Sequence, residues 1–215
     1  MTSIQSPFYH EERHRSLAQV RDTPITMCGI GSLGGPIAES LARMGYARLT
    51  LIDNGRVEER NLSCQPYARA DVGAWKVKAL ANTLYRAVAA KITPVAALLD
   101  ENSAGGHLVS ASLIIDALDN HAGRKAVSAS ALCYAIPCLH VGFSSDGLYG
   151  SGLWEPDYPI PQDGEEGPCE YPLTRPFAQV LAALACRVVG DYLLEGIKQD
   201  IELTWGDMQV SMRTR

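Results

Sequence analysis

The sequence lacks the features that are typical of nucleic-acid-binding proteins and of membrane-spanning proteins. Its 215 residues carry a formal net charge of -5 and contain no Lys/Arg-rich block, which argues against a nucleic-acid-binding surface. The most apolar segment, 177–197, is interrupted by Arg187, Asp191 and Glu195. It falls short of the roughly 18 uncharged apolar residues typical of a membrane span, so we expect no membrane segment.

Cysteines at the close spacing of a metal-ligand pair are also missing. The chain has six cysteines but no C-x-x-C pair, so we expect no structural zinc site. Cys28, Cys133 and Cys186 lie in apolar runs, which predicts that they are buried as small apolar side chains. Residues 1–21 are polar and of mixed charge, unlike a secretory signal peptide. A chain of this kind with free thiols predicts a cytoplasmic protein.

The distribution of apolar residues predicts strands and helices that alternate through the first half of the chain. Strands are predicted at 23–30, 48–53, 92–99, 108–116, 136–143 and 147–154, and helices at 33–46, 75–90, 122–134 and 177–196. The segment 201–212 reads as a hairpin around Gly206 and Asp207. This order predicts an α/β fold with a Rossmann-like, mostly parallel sheet flanked by helices, and antiparallel strands added in the C-terminal part.

The length of the chain suits one domain with a full core, and we predict a single domain over 1–215. Pro94 predicts that its strand lies at an edge of the sheet or starts irregularly. Residues 1–22 form a charged arm, either a solvated helix or an extension that reaches a neighbouring subunit. The segment 155–175, rich in Pro, Gly and acidic residues, is predicted to be a mobile loop.

The most informative stretch is glycine-rich and links the first predicted strand to the first helix. It contains Gly29, Gly31 and Gly34 in G-x-G-x-x-G spacing, with Ser32 between them. Such a turn presents backbone N–H groups at the positive end of a helix dipole, which suits nucleotide phosphates. Asp53 follows Gly34 by 19 residues and ends the next strand, where a carboxylate accepts hydrogen bonds from ribose hydroxyls. The motif predicts a nucleotide site and leaves the reaction open.

Two groups downstream add candidates for phosphate chemistry. The loop after the second strand carries Asn61 and Gln65 at the carboxyl end of the sheet, where open α/β folds bind ligands. Lys76, near the start of the second helix, is placed to reach nucleotide phosphates. An exposed lysine at a helix start would have the same position in the sequence.

Two further groups follow the strand that ends at Asp116. A carboxylate at this point, Asp119, can hold Mg²⁺ on the phosphates, whereas Asp and Asn also favour the N-cap position of a helix. The two roles can be divided between Asp119 and Asn120. Arg124, one turn into the following helix, is either part of the site or a surface charge.

These pieces resemble the adenylyltransferase domain of the ubiquitin-activating-enzyme superfamily, which includes the ThiF, MoeB and HesA proteins. The matching motifs are Gly29-x-Gly31-x-x-Gly34, Asp53-x-x-x-Val57-x-x-x-Asn61-Leu62-x-x-Gln65, Lys76 and Asp116-x-x-Asp119-Asn120-x-x-x-Arg124. They occur in family order and cover residues 24–142, more loosely as far as 196. The glycine motif is common to many nucleotide sites, whereas the Asp53 and Asp116 motifs are specific.

The resemblance implies ATP with Mg²⁺ and adenylation of a carboxylate, usually the C-terminal glycine of a ubiquitin-like or sulfur-carrier protein, by a homodimer. The carboxylate attacks the α-phosphate and expels pyrophosphate, giving an acyl-adenylate. In that scheme Asp53 binds the ribose, Lys76 the phosphates and Asp119 the magnesium, while Asn61 and Gln65 belong to the active-site loop. The turn that holds the phosphates comprises Gly29, Gly31, Ser32 and Gly34.

The sequence departs from the family beside the phosphate site. The arginine that usually precedes the glutamine of the Asn-Leu-x-x-Gln run is replaced by Cys64, and Arg60, Arg69 or a partner subunit could supply the missing cation. The family also has an N-terminal arginine that crosses the dimer into the neighbouring site. Arg13 and Arg15 are both candidates for that residue.

Cys169 lies in a polar loop after the adenylation motifs. Many relatives place a thioester- or persulfide-forming cysteine in this region, which makes Cys169 a candidate nucleophile. The alternative is an ordinary loop cysteine, because the neighbouring acidic residues would raise the pKa of its thiol. Cys64 is a weaker candidate for the same role.

Two other interpretations share part of the pattern. A degenerate, non-catalytic adenylation domain that binds a partner or serves as a scaffold is favoured by the presence of Cys64. An NAD-dependent oxidoreductase would share the glycine turn and Asp53, but neither the Asp-x-x-Asp-Asn nor the Asn-Leu-x-x-Gln motif belongs to that class.

Overall fold

The structure, a computed structural model, describes residues 6–14, 16–162 and 173–215. Eight strands form one sheet. In chain order they are β1 (Ile25–Cys28), β2 (Leu49–Ile52), β3 (Thr93–Val95), β4 (Leu113–Asp116), β5 (Cys138–Phe143), β6 (Tyr149–Trp154), β7 (Gln199–Thr204) and β8 (Val210–Thr214). The α-helices of the described residues are α1 (Tyr9–His14), α2 (Gly34–Arg43), α3 (Lys76–Val88), α4 (Ala104–Leu108), α5 (His121–Cys133) and α6 (Arg175–Glu195).

The strand order across the sheet is β3-β2-β1-β4-β5-β6-β7-β8. The strands from β3 to β5 pair in parallel, and those from β5 to β8 pair antiparallel. The predicted fold class is therefore confirmed, with a Rossmann-like parallel part and antiparallel strands in the C-terminal part. β3 contains Pro94 and lies at the edge of the sheet, as expected for a strand with a proline. β7 and β8 form the hairpin that was predicted around Gly206.

Helices cover both faces of the sheet because its central strands are apolar on both sides. α2, α3 and α6 pack on the face that carries Met27 and Ile115, whereas α4 and α5 pack on the face that carries Cys28 and Ile114. Alternate residues of a strand point to opposite faces, so β1 and β4 contribute to both apolar cores. The carboxyl ends of these parallel strands consequently meet at one edge, between the two layers of helices.

Two local expectations fail for identifiable reasons. α4 has no counterpart in the sequence-based prediction, because the Gly105-Gly106 pair disfavours a helix. Cys133 is exposed, so the prediction that it is buried is wrong. It is the last residue of α5, and an apolar run at a helix end does not determine which side chains face the core. Cys28 and Cys186 are buried, as predicted.

The N-terminal arm is joined to the core by apolar side chains outside α1. None of the residues of α1 itself is buried, but the neighbouring Phe8 and Leu17 are. Both approach Gly45 after α2, where a built Cβ would lie 3.3 Å from Phe8 and 3.1 Å from Leu17. An extension of this arm to a neighbouring subunit stays a prediction, as does the mobility of 155–175, of which 163–172 lies outside the described residues.

α6 is long and apolar enough, by length and composition, to cross a membrane. Half of its apolar window is nevertheless buried within the protein, as in a core helix. Leu181 is fully buried and its Cδ2 lies 2.6 Å from a Cβ built on Gly150, so a glycine in β6 is required for this close approach. The helix therefore serves as the central packing element of its face of the sheet.

Replacing Leu181 with alanine should test that packing. Truncation of a fully buried leucine leaves a cavity and is expected to lower the free energy of unfolding by about 2–5 kcal/mol. Leu132→Ala in α5 is the matched control, because Leu132 is 53% exposed and a surface change is expected to stay within about 0.5 kcal/mol. Urea unfolding measures both, and equal effects would contradict a core role for α6.

Candidate functional site

The turn between β1 and α2 can form only without side chains at two positions. A Cβ built on Gly34 would lie 1.9 Å from the carbonyl oxygen of Gly29. Gly29 has a φ of +82°, which favours glycine, and a Cβ there would lie 2.7 Å from the carbonyl oxygen of Ala117. The turn thus packs directly on the loop after β4. Leu33, at the N-cap of α2, makes no side-chain cap hydrogen bond. The N–H of Gly35 donates to the carbonyl oxygen of Gly31 at 3.0 Å and Pro36 has no N–H, so the attraction of this helix end for an anion rests mainly on the helix dipole.

Asp53 follows β2 and joins this turn to the next loop. Its Oδ2 accepts a hydrogen bond from the N–H of Ile30 at 2.7 Å, and its Oδ1 accepts one from the N–H of Gly55 at 2.6 Å. An ionised carboxylate has about four lone-pair sites, so two remain for a ligand. The sequence indicated only the ligand role of Asp53, whereas the structure adds this structural one.

Lys76 is the first residue of α3. Its N–H donates to the carbonyl oxygen of Gly55 at 3.0 Å, and its Cε lies 3.3 Å from a Cβ built on Gly55. Gly55 is therefore the point at which Asp53 and Lys76 come together. The guanidinium of Arg56 stacks on Trp75 at 4.0 Å from the ring centroid, and the two residues form an isolated β-bridge, which fixes the start of α3 against this loop.

Asn61 holds the loop that the sequence assigned to the site. It is 6% exposed, and its Oδ1 accepts a hydrogen bond from the N–H of Glu58 at 2.9 Å. Its carbonyl oxygen accepts the N–H of Gln65 at 2.8 Å. These contacts lie within the loop, so Asn61 determines the loop's shape.

Two residues at the end of the loop reach the glycine turn. Ser32 donates its hydroxyl hydrogen to the Sγ of Cys64 at 3.1 Å. A Cβ built on Gly31 would lie 4.0 Å from the Nε2 of Gln65. Gln65 is 3% exposed, and its Oε1 has no hydrogen-bond partner within the described part of the chain. Since buried polar atoms are normally satisfied, this oxygen points to a ligand or water beside the turn.

The loop between β4 and α5 places Asp119 at the same edge. The N–H of Ala117 donates to the carbonyl oxygen of Cys28 at 2.8 Å, which keeps the loop beside the glycine turn. Asn120 is the N-cap of α5, since its Oδ1 accepts the N–H of Gly123 at 2.8 Å. The capping role therefore belongs to Asn120. Asp119, which follows Ala117 by two residues, is exposed.

A buried polar cluster that the sequence analysis missed lies behind this edge. His140 on β5 is 1% exposed, with Nδ1 2.8 Å from an oxygen of Asp116 and Nε2 2.9 Å from an oxygen of Glu155. The ring of Tyr158 stacks on it with centroids 3.8 Å apart and an interplanar angle of 3°. Arg124 donates a hydrogen bond to the hydroxyl of Tyr158. The half-buried guanidinium excludes the interpretation of Arg124 as a surface charge.

Charge compensation favours the ionised forms in this cluster. Burial opposes ionisation of Asp116, but the hydrogen bond from His140 and the charge of Arg124 outweigh it and hold the pKa of Asp116 below its usual value. Burial also opposes the imidazolium, yet the hydrogen bonds to Asp116 and Glu155 raise the pKa of His140. The pKa of Glu155 is lowered, against burial, by the hydrogen bonds from His140 and Ser128.

The sequence contains a partial signal for this cluster. His140 interrupts an apolar strand and Glu155 follows one directly, so both are candidates for buried polar groups. Their meeting depends on the antiparallel register of β5 and β6, in which Leu139 lies opposite Trp154. Periodicity along one strand does not specify that register.

For three of the predicted site residues, the structure describes no contact with this edge of the sheet. Arg13 is exposed, and its guanidinium donates to the hydroxyl of Tyr9 within α1 at 2.8 Å. Arg15 and Cys169 lie outside the described residues. The roles suggested for these three residues stay predictions.

The two arginines considered as substitutes for the missing cation differ in their surroundings. Arg60 pairs with Glu58 across 2.7 Å, with both side chains more than half exposed. Arg69 begins a short 3-10 turn and is exposed. Neither observation makes one of them the replacement for the arginine that Cys64 displaces.

In the chain outside 1–5, 15 and 163–172, no group of three or more His, Cys, Asp or Glu side chains is arranged to hold a metal ion. The expectation of no zinc site stays a prediction. Mg²⁺ is commonly held by one or two carboxylates together with substrate phosphates. The exposed Asp119, beside a turn suited to phosphates, fits that mode of binding.

The parallel strands, the glycine turn and the acid after β2 define a Rossmann-like α/β domain with a candidate nucleotide site. Residues 4–152 match the model of the ThiF family. The chain belongs to this family, which confirms the resemblance identified from the motifs.

The relatives include adenylating enzymes. The chain is 32% identical over 122 residues to the molybdopterin-synthase adenylyltransferase of Escherichia coli K12, covering 56% of this chain and 49% of the relative. It is 27% identical over 146 residues to ubiquitin-like modifier-activating enzyme 5 of Oryza sativa subsp. japonica, covering 61% of this chain and 35% of the relative. The chain thus spans about half the length of the first relative and about a third of the second.

Solved structures share the fold over nearly the whole chain. The structure of E. coli MccB with AMPCPP and MccA gives a TM-score of 0.78 at 16% identity, covering 99% of this chain and 72% of that one. The structure of PaaA gives a TM-score of 0.74 at 21% identity, covering 98% and 67%. At these identities the comparison shows a common fold.

Gly34→Ala should disrupt the turn, because its methyl group would overlap the carbonyl oxygen of Gly29. We expect a loss of about 1–3 kcal/mol in the free energy of unfolding, the usual cost of overpacking, and weaker binding of an ATP analogue. Gly106→Ala is the control, since a Cβ at that helical position meets nothing within 4 Å. Urea unfolding and calorimetric titration with AMPCPP measure both effects. A Gly34→Ala protein that matches the control would rule out this packing constraint.

Proposed function

We propose that this protein uses ATP to adenylate a carboxylate, giving an acyl-adenylate and pyrophosphate. The observation that carries the proposal is the convergence of loops on the glycine turn. Asp53 binds the turn itself, Gln65 approaches it with its amide nitrogen, and the loop bearing Asp119 packs against it. Membership of the ThiF family and the adenylyltransferases among the relatives support the proposal.

The triphosphate of ATP would lie beside the glycine turn at the N-terminal end of α2, where the helix dipole favours an anion. Asp53 would accept the ribose hydroxyls with its remaining lone pairs. The stem of Lys76 runs past Gly55, and its ammonium group would extend to the phosphates. Asp119 would hold Mg²⁺, which supplies positive charge to the phosphate oxygens when bound.

The chemical step would consist of attack by a carboxylate oxygen on the α-phosphorus. A new O–P bond forms and the bond between the α-phosphorus and the bridging oxygen breaks, releasing pyrophosphate. A carboxylate is already ionised at neutral pH, so the step needs no general base. The chain's contribution is alignment and charge compensation, which we assign to Gln65 and Lys76 respectively.

The substrate we propose is the C-terminal glycine of a ubiquitin-like or sulfur-carrier protein, or a small carboxylate handled in the same way. The names of the relatives support the first choice, since they include a molybdopterin-synthase adenylyltransferase and a ubiquitin-like modifier-activating enzyme. We also propose a cytoplasmic homodimer, in which Arg13 or Arg15 of one subunit reaches the site of the other. Cys169 would be a later nucleophile.

A second candidate function is a non-catalytic adenylation domain that binds a partner. Cys64 is the observation that favours it, because a thiol contacting Ser32 stands where the family usually has a cation. Loss of one group that stabilises developing charge raises a barrier by roughly 3 kcal/mol. Such a protein would bind ATP and fail to turn it over.

Lys76→Ala should test whether Lys76 contributes to catalysis. We expect ATP–pyrophosphate exchange to fall about 100-fold or more, the usual effect of removing one charge-stabilising group. Lys78→Ala, two residues along the same helix and exposed, should leave the rate nearly unchanged. The assay follows labelled pyrophosphate into ATP with a panel of carrier proteins that end in Gly-Gly.

Two results would contradict parts of this proposal. Equal exchange rates for the two lysine variants would remove Lys76 from the mechanism. Reduction of NAD by a substrate, without exchange of pyrophosphate in the presence of any carboxylate, would support an oxidoreductase instead.

Cys64→Arg tests the second candidate. In an active enzyme the added cation is expected to raise the exchange rate about tenfold or more, since it would compensate charge on the phosphates. Cys133→Arg, at an exposed cysteine on α5, controls for the general effect of added charge. Tight AMPCPP binding with no exchange before or after the change at Cys64 would favour the scaffold.

A further inference from the structure

The cluster around His140 joins two segments that frame the candidate site. His140 lies on β5, with Asp116 at the end of β4 on one side and Glu155 after β6 on the other. Ser128 of α5 donates its hydroxyl hydrogen to Glu155. All four residues are buried, with at most 6% of their surface exposed. None of them is among the groups assigned to ATP or to the carboxylate.

The geometry at the ring determines where the protons are. Both nitrogens lie within hydrogen-bonding distance of carboxylate oxygens, and an ionised carboxylate can accept but not donate. Either the ring carries two protons, or one carboxyl group keeps its own. Asp116 also accepts the N–H of Leu118 at 3.0 Å, and Glu155 accepts the hydroxyl of Ser128. These additional donors favour ionised carboxylates, which leaves both ring protons on His140.

The other groups that face the ring are consistent with a charged His140. Arg124 comes from α5, and Tyr158 stacks from the segment after β6, with a pKa that burial raises to about 12. Burial raises the pKa of the thiols of Cys28 and Cys138, so both are neutral. Two carboxylates then face the imidazolium and the guanidinium of Arg124, and the charge of Arg215 also favours the ionised form of Glu155. With both carboxylates ionised, a neutral ring would remove the positive charge that lies between them, which is unfavourable for buried groups.

We propose that His140 is a positioning residue, a buried imidazolium that ties the loop 116–120 to the segment 155–158. Through Asp116 it holds the N–H of Leu118, the residue immediately before Asp119. On its other side it holds Glu155, while Tyr158 stacks on the ring and binds Arg124 in the first turns of α5. The consequence for catalysis rests on the proposed function, whereas the protonation and the tie between the two segments do not.

The hydrogen bonds of His140 with Asp116 and Glu155 depend on pH. The pKa of His140 is raised in the folded protein, so its contribution is complete below the pKa of an unfolded histidine and is lost as the pH rises through the folded value. The pKa values of Asp116 and Glu155 are lowered, so their contribution is present above the unfolded values and is lost as the pH falls through the folded ones. The loop beside Asp119 should therefore loosen as the solution becomes alkaline.

Nitrogen-15 NMR of the full chain tests this inference, with the imidazole signals followed from pH 6 to pH 10. We expect both nitrogens of His140 to be protonated at pH 7, with the exposed His14 as an internal reference. Glu155→Gln removes one charge at constant size, and it should lower the pH at which His140 deprotonates. It should also make hydrogen exchange at the N–H of Leu118 about tenfold faster, because that bond loses its support.

The control is Glu101→Gln, which removes an exposed carboxylate paired with Lys125 at 3.4 Å and should change neither signal. A neutral His140 ring in the unaltered protein at pH 7 would overturn the imidazolium. If the protection of the N–H of Leu118 from exchange does not change as His140 titrates, the tie is overturned. This measurement needs no variant. Pyrophosphate exchange should fall about tenfold in Glu155→Gln, and an unchanged rate would overturn the role of His140 in positioning the site. No exchange in the unaltered protein would refute the proposed function and leave the NMR result standing.

Discussion

The approach of Gly34 to the carbonyl oxygen of Gly29 is the contact on which the candidate site depends. A methyl group at either glycine would separate α2 from β1 or β1 from the loop after β4. Because Asp53 binds the N–H of Ile30 within the same turn, a shift there would also move the end of β2. Three strand ends are thus positioned by one turn that has to lack side chains at Gly29 and Gly34, and the strands in turn position the functional groups.

Two carboxylates near this edge have opposite surroundings. Asp53 is half-buried, bound by two backbone N–H groups, and retains acceptor capacity toward the turn. Asp116 is fully buried, and its charge is compensated by His140 and Arg124. The interior of the edge is therefore close to neutral, and under the proposed function Lys76, Asp119 and the N-terminus of α2 would interact with the charged ligand. A buried layer whose charges are compensated, below a few charges that face outward, suits a site that binds polyanions without changing its conformation.

The parts of the site that could be predicted from sequence are those with local causes. The glycine spacing, the lysine that begins α3 and an N-cap at Asp119 or Asn120 each depend on residues within one turn of the chain, and the structure assigns the cap to Asn120. The edge position of Pro94 follows from its missing N–H. The partners of His140 depend instead on strand register and on a tyrosine 18 residues away in the chain. Gln65 was identified by its motif, but its buried, unpartnered oxygen emerges only once the loop packs against the turn.

Cys64 sets the charge balance at the phosphate end of the site. A neutral thiol contributes no positive charge, and Ser32 directs its hydroxyl hydrogen to the sulfur rather than toward the turn. Arg60, a few residues earlier, is already paired with Glu58. A helix N-terminus is equivalent to only about half a positive charge, and Lys76 adds one more. Under the proposed function Mg²⁺ would add positive charge, but Asp119 adds a negative one and a triphosphate carries several, so compensation stays incomplete. An arginine contributed by a second subunit would then be part of the chemistry, and not merely of the interface.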